Sequence, residues 1–273
     1  MSTRTILSVL APTAFLLIFF VVPLLYVAWL SFMDPTPGLA NYVRFFKSGY
    51  MVETLLRTAM MSAVVTLLSL IMAYPVAFLM ANGAGLYAKF LGFVVMSSFL
   101  VSFLVRTFAW LIILGKGGPA QSVLMFFGWD PAPRLLYTTF ASIIAMTQML
   151  TPLMALVLYA TMKRIDPVLL RASTSLGANN LRGLVHIYFP LSLPGVANGV
   201  TLVFITCLGF YVTPAILGSP RNLMISGLIG KQIEEMLSFG TAAASSMILM
   251  AFTGALFLIY SSFSSLEKLW GPK

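Results

Sequence analysis

Charge is what this chain lacks. Of 273 residues, 16 are Lys or Arg and 7 are Asp or Glu, or 8% in all. A soluble domain carries roughly 25% charged residues to face water. No soluble fold of this length could cover its surface so sparingly. Cysteine is scarcer still: Cys207 alone excludes a disulfide framework. His186 is the single histidine and has no cysteine or carboxylate beside it at ligand spacing, so no metal site is expected. What replaces these residues is apolar: 60% of the chain is hydrophobic, with 22 Phe and 17 Met as packing and lipid-facing material. Disorder is excluded by the same count. The chain is an integral membrane protein.

Marking every charge leaves five uncharged runs, at 5–33, 58–88, 135–162, 183–220 and 236–266, and a sixth at 90–115 broken only by Arg106. A helix needs about 20 apolar residues to cross the hydrocarbon core, so each run holds one span. The expected fold is all-α and polytopic, one transmembrane domain over 1–273. Its six helices are expected near 6–31, 57–81, 89–114, 137–162, 190–212 and 242–264. Continuous apolar stretches such as Phe15–Val22 and Val64–Leu70 exclude the alternating strands of an outer-membrane barrel. The first run, from Ile6 to about Phe32, is longer than a signal's apolar core and is expected to stay as an anchor.

Six spans put both termini on one side. If that side is cytoplasmic, the inner segments hold eight Lys/Arg and the outer ones seven, a split too even to orient the chain. The cluster Lys163, Arg164, Arg171 and Arg182 is the better indicator, and it places the 163–189 loop inside. Within that loop, Asp166-Pro167 is a helix start, an acceptor for orphan N–H groups followed by proline at the first helical position. Val168, Leu169, Ala172 and Leu176 follow at helical spacing, and Gly177 suits the turn that ends the helix. Asn179 or Asn180 can cap a second helix running toward Pro190. By physics alone this pair of helices either packs on its own bundle at the membrane face or presents itself to a partner.

The stretch from Asp166 to Val196 resembles the EAA loop of bacterial ABC-importer permeases, the inner-membrane components of binding-protein-dependent transport systems. The family's pattern is EAA, three residues, Gly, nine residues, Ile, one residue and Leu-Pro. Here it is met by Arg171-Ala172-Ser173, Gly177, Ile187 and Phe189-Pro190. Arg171 stands in place of the glutamate and Phe189 in place of the leucine, so the glutamate's polar contacts do not carry over. The resemblance implies a type I ABC-importer permease fold at the bacterial inner membrane, multi-pass, with both termini cytoplasmic. It also implies a coupling helix that docks on an ATPase through Leu169, Arg171, Ala172, Ser173, Leu176, Gly177 and Ala178.

A narrower match links Arg106-Thr107-Phe108-Ala109-Trp110 and Tyr211-Val212-Thr213-Pro214-Ala215-Ile216-Leu217-Gly218 to permeases of the spermidine/putrescine type, specifically the first of their permease pair. The partners then implied are a cytosolic ABC ATPase dimer, a second non-identical permease, a periplasmic substrate-binding protein and membrane lipid, with no nucleic acid. The chain itself is expected to be no enzyme and to carry no cofactor, with ATP and Mg on the ATPase subunits. Gly230-Lys231 is not a phosphate loop: Gln232 follows it, and Ile225 stands where a glycine belongs.

For the substrate path the expected residues are Arg106, Trp110, Phe210, Tyr211 and Thr213. An arginine inside a span costs about 2.5–3.5 kcal/mol on insertion scales. Counted up a straight helix from Lys89, Arg106 lies about 25 Å in. There it either snorkels or tethers helices, or else lines an outer gate. No Asp or Glu falls within any expected span, so the cargo stays open between a polyamine-like amine and an opine, amino acid or other zwitterionic or anionic solute. An intramembrane enzyme would need converging His, Asp or Glu groups, and a secondary carrier would need paired inverted repeats with midplane charges; neither pattern stands out.

Overall fold

The computed structural model describes residues 10, 12–83, 85–129, 131–175, 178–219 and 223–270, except the side chains of Asn180 and of 261–270. Helices α1 (Pro12–Met33), α2 (Ala40–Lys47), α3 (Gly49–Asn82), α4 (Gly85–Leu100), α5 (Phe103–Leu114) and α6 (Pro119–Phe126) form the first half. They are followed by α7 (Thr139–Met162), α8 (Pro167–Ser175), α9 (Leu181–Leu208), α10 (Val212–Leu217), α11 (Ile225–Glu234) and α12 (Phe239–Trp270). Five helices are long and apolar enough to cross a membrane, and α4 with the helices after it makes a sixth if that bent pair is one span.

The chain divides into two compact units, one of Met1–Leu56 with Ile225–Ala255, the other of Arg57–Met224 with Leu256–Lys273. In the first unit, α1 is apolar all round and only 6% of its most apolar window is buried, as expected of a helix whose solvent is lipid. Its end is held by polar ties. Ser31 Oγ donates to Ala28 O and meets the Tyr42 hydroxyl at 2.7 Å, while Asn41 Nδ2 donates to the carbonyls of Ser31 and Asp34. The Asp34 carboxylate accepts from Gly240 N at 2.6 Å, placing a negative charge at the start of α12, where the helix dipole favours it.

The second unit is built around α7, 61% buried over its most apolar window. Thr138 caps it by accepting from Ala141 N, and Met146, Leu150, Met154 and Leu158 form its inward ridge. Against α7 lies α9. A Cβ added to Gly195 would sit 2.7 Å from Thr161 Cβ, and one added to Gly199 would sit 2.7 Å from Met154 Sδ. Gly195 and Gly199 are four residues apart, the small-xxx-small spacing that lets two membrane helices approach closely. On α3, Thr58, Ser62, Thr66, Ser69, Ala73 and Ala77 are all buried, a second seam of small side chains.

Two π turns, Leu17–Val21 in α1 and Leu184–Tyr188 in α9, share one cause. Each ends two residues before a proline, Pro23 or Pro190. The wider turn draws the preceding carbonyls away from the ring, so the helix continues where a strict α turn would clash.

The stretch expected as one span over 89–114 is broken into two helices. The axes of Gly85–Leu100 and Phe103–Phe126 meet at 95°, with Ser102 extended at φ −52° and ψ 136°. Neither proline nor glycine marks the break. It is stabilised by the arginine described next, which also reaches a distant helix.

Candidate functional site

Arg106 stands one turn past the bend and is 7% exposed. Its Nη2 donates to Val101 O at 2.8 Å, a carbonyl at the end of α4 that the break leaves without a helical partner. Nη1 reaches Met149 O on α7 at 3.4 Å, and the guanidinium carbon lies 4.8 Å from the Phe103 ring centroid. Arg106 Nε has no partner in the described structure. The straight-helix count that set Arg106 about 25 Å along one span fails at the bend, and the side chain is turned into the protein. It ties three segments together instead.

Other residues expected on the path gather around the same stretch of α7. Trp110 Nε1 donates to Gln148 Oε1 at 3.4 Å. Thr213 Oγ1 meets Thr107 Oγ1 at 3.1 Å and Met149 Sδ at 3.4 Å. Phe210 packs edge-on to Phe103, their ring centroids 5.6 Å apart. Arg106, Trp110, Phe210 and Thr213 are thus brought together, whereas Tyr211 is 39% exposed. Gln148 and Phe103 were missed in the sequence, and Thr107 was read only as part of the 106–110 match. The signal for Gln148 was present, as the single amide in an uncharged span.

The 163–189 loop forms as its sequence dictates at both starts. Asp166 Oδ1 accepts from Val168 N at 2.9 Å to open α8, and Asn179 Oδ1 accepts from Arg182 N at 2.9 Å at the head of α9. Ser173 is 4% exposed and turns inward; with Leu170, Phe78, Leu181 and Gly183 it lines a cavity of about 330 Å³. Gly183 is required for this approach, since a Cβ there would lie 2.8 Å from Ser173 Oγ. The other face points away from the bundle: Val168 is 55% and Leu169 42% exposed, and Arg171 and Ala172 are exposed beside them. Ala178 is half-buried, and its N–H donates to Ser173 O. Leu176 and Gly177 lie outside the described residues. His186 is exposed with Nδ1 3.2 Å from Arg182 O, and no group of three or more metal-binding side chains occurs among the described residues.

The loop is anchored to α3. Asn82 Nδ2 donates to the Tyr188 hydroxyl, the Phe78 ring meets the Tyr188 ring edge-on at 4.9 Å, and the Tyr74 hydroxyl lies 2.9 Å from Ser192 Oγ. Lys163 Nζ donates to Ala81 O at 3.4 Å.

The described residues thus form an all-α chain of several membrane-length helices, with one short helix, α8, on the loop before the penultimate long helix, α9. Residues 73–265 match the family described as binding-protein-dependent transport system inner membrane component, and the chain belongs to that family. It is the permease component of a binding-protein-dependent ABC importer.

Among its relatives, the spermidine/putrescine transport system permease protein PotB of Escherichia coli (strain K12) is 30% identical over 231 residues, 84% of each chain. PotB of Haemophilus influenzae is 31% identical over 248 residues, 86% of each chain. The inner membrane ABC transporter permease protein YdcU of E. coli is 29% identical over 233 residues, 79% of this chain and 72% of YdcU. In solved structures, the fold matches a chain of the bacterial alginate ABC transporter in complex with alginate pentasaccharide-bound periplasmic protein. That match has a TM-score of 0.79 at 18% identity and covers 96% of this chain and 94% of the other. A chain of the MetNI methionine ABC transporter matches at 0.58 and 18% identity, over 78% and 93%.

Proposed function

We propose that this chain is one of two non-identical permeases that carry a small organic solute, a polyamine-like amine, across the bacterial inner membrane. A periplasmic binding protein delivers the solute. A cytosolic ABC ATPase dimer, holding ATP and Mg, drives alternating access through the 163–189 loop, with both termini on the cytoplasmic side. The observation that carries the reading is the outward face of α8. Val168, Leu169 and Ala172 are turned away from the bundle while Leu170 and Ser173 hold the helix to it. An exposed apolar face on a firmly seated helix is what a docking element needs. The polyamine assignment rests on the PotB relatives.

A second cargo is favoured by one feature. The cluster around Arg106 holds a buried cation and no carboxylate, a setting that suits a zwitterionic or anionic solute better than a polycation. Uptake into vesicles carrying the complete transporter tests both. ATP-dependent accumulation of labelled spermidine or putrescine supports the first reading. Accumulation of an amino acid or opine without polyamine uptake replaces the cargo, and no ATP-dependent uptake of any solute by the purified complex overturns the machine.

A further inference from the structure

Where the ends of α3 and α7 meet the start of α4, a cavity of about 490 Å³ is lined by Met80, Ala88, Lys89, Gly92, Tyr159 and Lys163 among others. Two exposed lysines, Lys89 and Lys163, line this space, and no carboxylate does. An anion placed between two lysine side chains is attracted by both. Alongside runs an open groove of about 600 Å³ lined by Leu86, Tyr87, Lys89, Phe90 and Phe93. Leu86, Phe90 and Phe93 recur at i, i+4 and i+7, so one face of α4 is apolar, and each is at least 60% exposed. Lys89 borders both spaces.

A soluble phosphate would use the lysines and leave the groove empty; a neutral lipid would use the groove and leave the lysines unmatched. A molecule with an anionic phosphate and acyl chains satisfies both. We infer that Lys89 and Lys163 hold the phosphate of an anionic phospholipid whose acyl chains lie along Leu86, Phe90 and Phe93. Basic pockets between membrane helices recognise anionic head groups in this way, and Tyr87 is the kind of ring that sits at the head-group level. Placing the lipid in the inner leaflet rests on the orientation proposed above, but the binding itself does not.

Native mass spectrometry of the full chain in detergent, titrated with phosphatidylglycerol, phosphatidylcholine or glycerol 3-phosphate, tests the site without the ATPase. Phosphatidylglycerol is expected to be retained in preference to phosphatidylcholine, and the preference to fall by about fivefold for each lysine lost. Lys89→Gln with Lys163→Gln should abolish it, Lys89→Arg with Lys163→Arg should keep it, and Lys47→Gln should leave it unchanged. Because Lys163 also binds a backbone carbonyl, the single Lys89→Gln variant keeps the test decisive should the double variant fail to fold. Equal retention of the two lipids, an undiminished preference in Lys89→Gln, or displacement of the lipid by glycerol 3-phosphate would each overturn the assignment. So would unchanged lipid retention together with loss of ATPase co-purification, which would give the lysines to a protein contact. A chain that binds phosphatidylglycerol selectively yet never stimulates an ATPase would refute the importer reading and leave the lipid site standing.

Discussion

Asn82 donates through Nδ2 to the Tyr188 hydroxyl at 2.6 Å, joining the last residue of α3 to the π turn at the head of α9. With Phe78 and Tyr74 it forms one face of α3, at i, i+4 and i+8, that grips Tyr188 and Ser192. The loop proposed to receive the ATPase's motion is therefore fixed to a membrane helix by specific polar bonds. Tyr188→Phe keeps the ring and removes the hydroxyl. The expected loss is about 1 kcal/mol, or about 2–4 °C in Tm in detergent. Solute uptake per ATP hydrolysed should fall further than Tm does, and an unchanged ratio would show that the bond is only structural.

Arg106 closes the carbonyl that the α4–α5 break leaves open. Arg106→Leu removes a charge-assisted bond to Val101 worth about 1.5–3 kcal/mol and a longer, weaker one to Met149, and strands Val101 O. Thermal unfolding should show a large loss. Arg106→Lys, which lacks the fork needed to reach two carbonyls, should recover only part of it. A Tm of Arg106→Leu equal to wild type would remove the arginine from the architecture and return it to the transport path.

At the proposed docking face, Leu169→Asp places a charge where an apolar contact is expected, on a side chain already exposed. Permease Tm should stay within about 1–2 °C of wild type, since exposed substitutions usually cost under about 0.5 kcal/mol. ATPase subunits should no longer co-purify. Arg171→Glu, which gives this chain the family's acid, tests the same face; retained co-purification would show that the arginine is not itself the anchor.

Gly183→Val pushes two methyl groups toward Ser173, where even a Cβ lies 2.8 Å from the hydroxyl oxygen. Overpacking of this kind costs about 1–3 kcal/mol, and here it acts between α8 and α9. Membrane insertion should be normal and stimulated ATPase activity reduced at least several-fold. Full stimulation would mean that close approach of the two helices is dispensable.

The long helices were legible because lipid imposes a simple rule: some twenty apolar residues without charge must be helical. The loop's two starts were equally legible, since Asp166 and Asn179 act on backbone groups only two or three residues away. The bend after Leu100 was not, because what stabilises it includes Met149 O, a carbonyl on a helix far off in sequence. The short helices α2, α6 and α11 escaped for another reason: eight to ten residues of mixed character give too little periodicity to separate from loop. Gly195 and Gly199 did carry a signal in their four-residue spacing; its meaning emerged only once Thr161 and Met154 were seen opposite. The Arg106 cluster was half visible, its residue types suggestive and their meeting at Gln148 and Met149 a matter of tertiary structure.

The bond from Asp34 to Gly240 spans 206 positions of the chain. A ribosome adding about 5–20 residues per second makes the acid roughly 10–40 s before its amide partner exists. Through that interval α1, apolar on every side, is stable in lipid by itself, while the carboxylate behind it waits at the water boundary without the helix start that it will cap. Biogenesis of the first unit is thereby tied to completion of translation. A ribosome stalled before Gly240 would leave a threaded chain whose first unit lacks this closing bond.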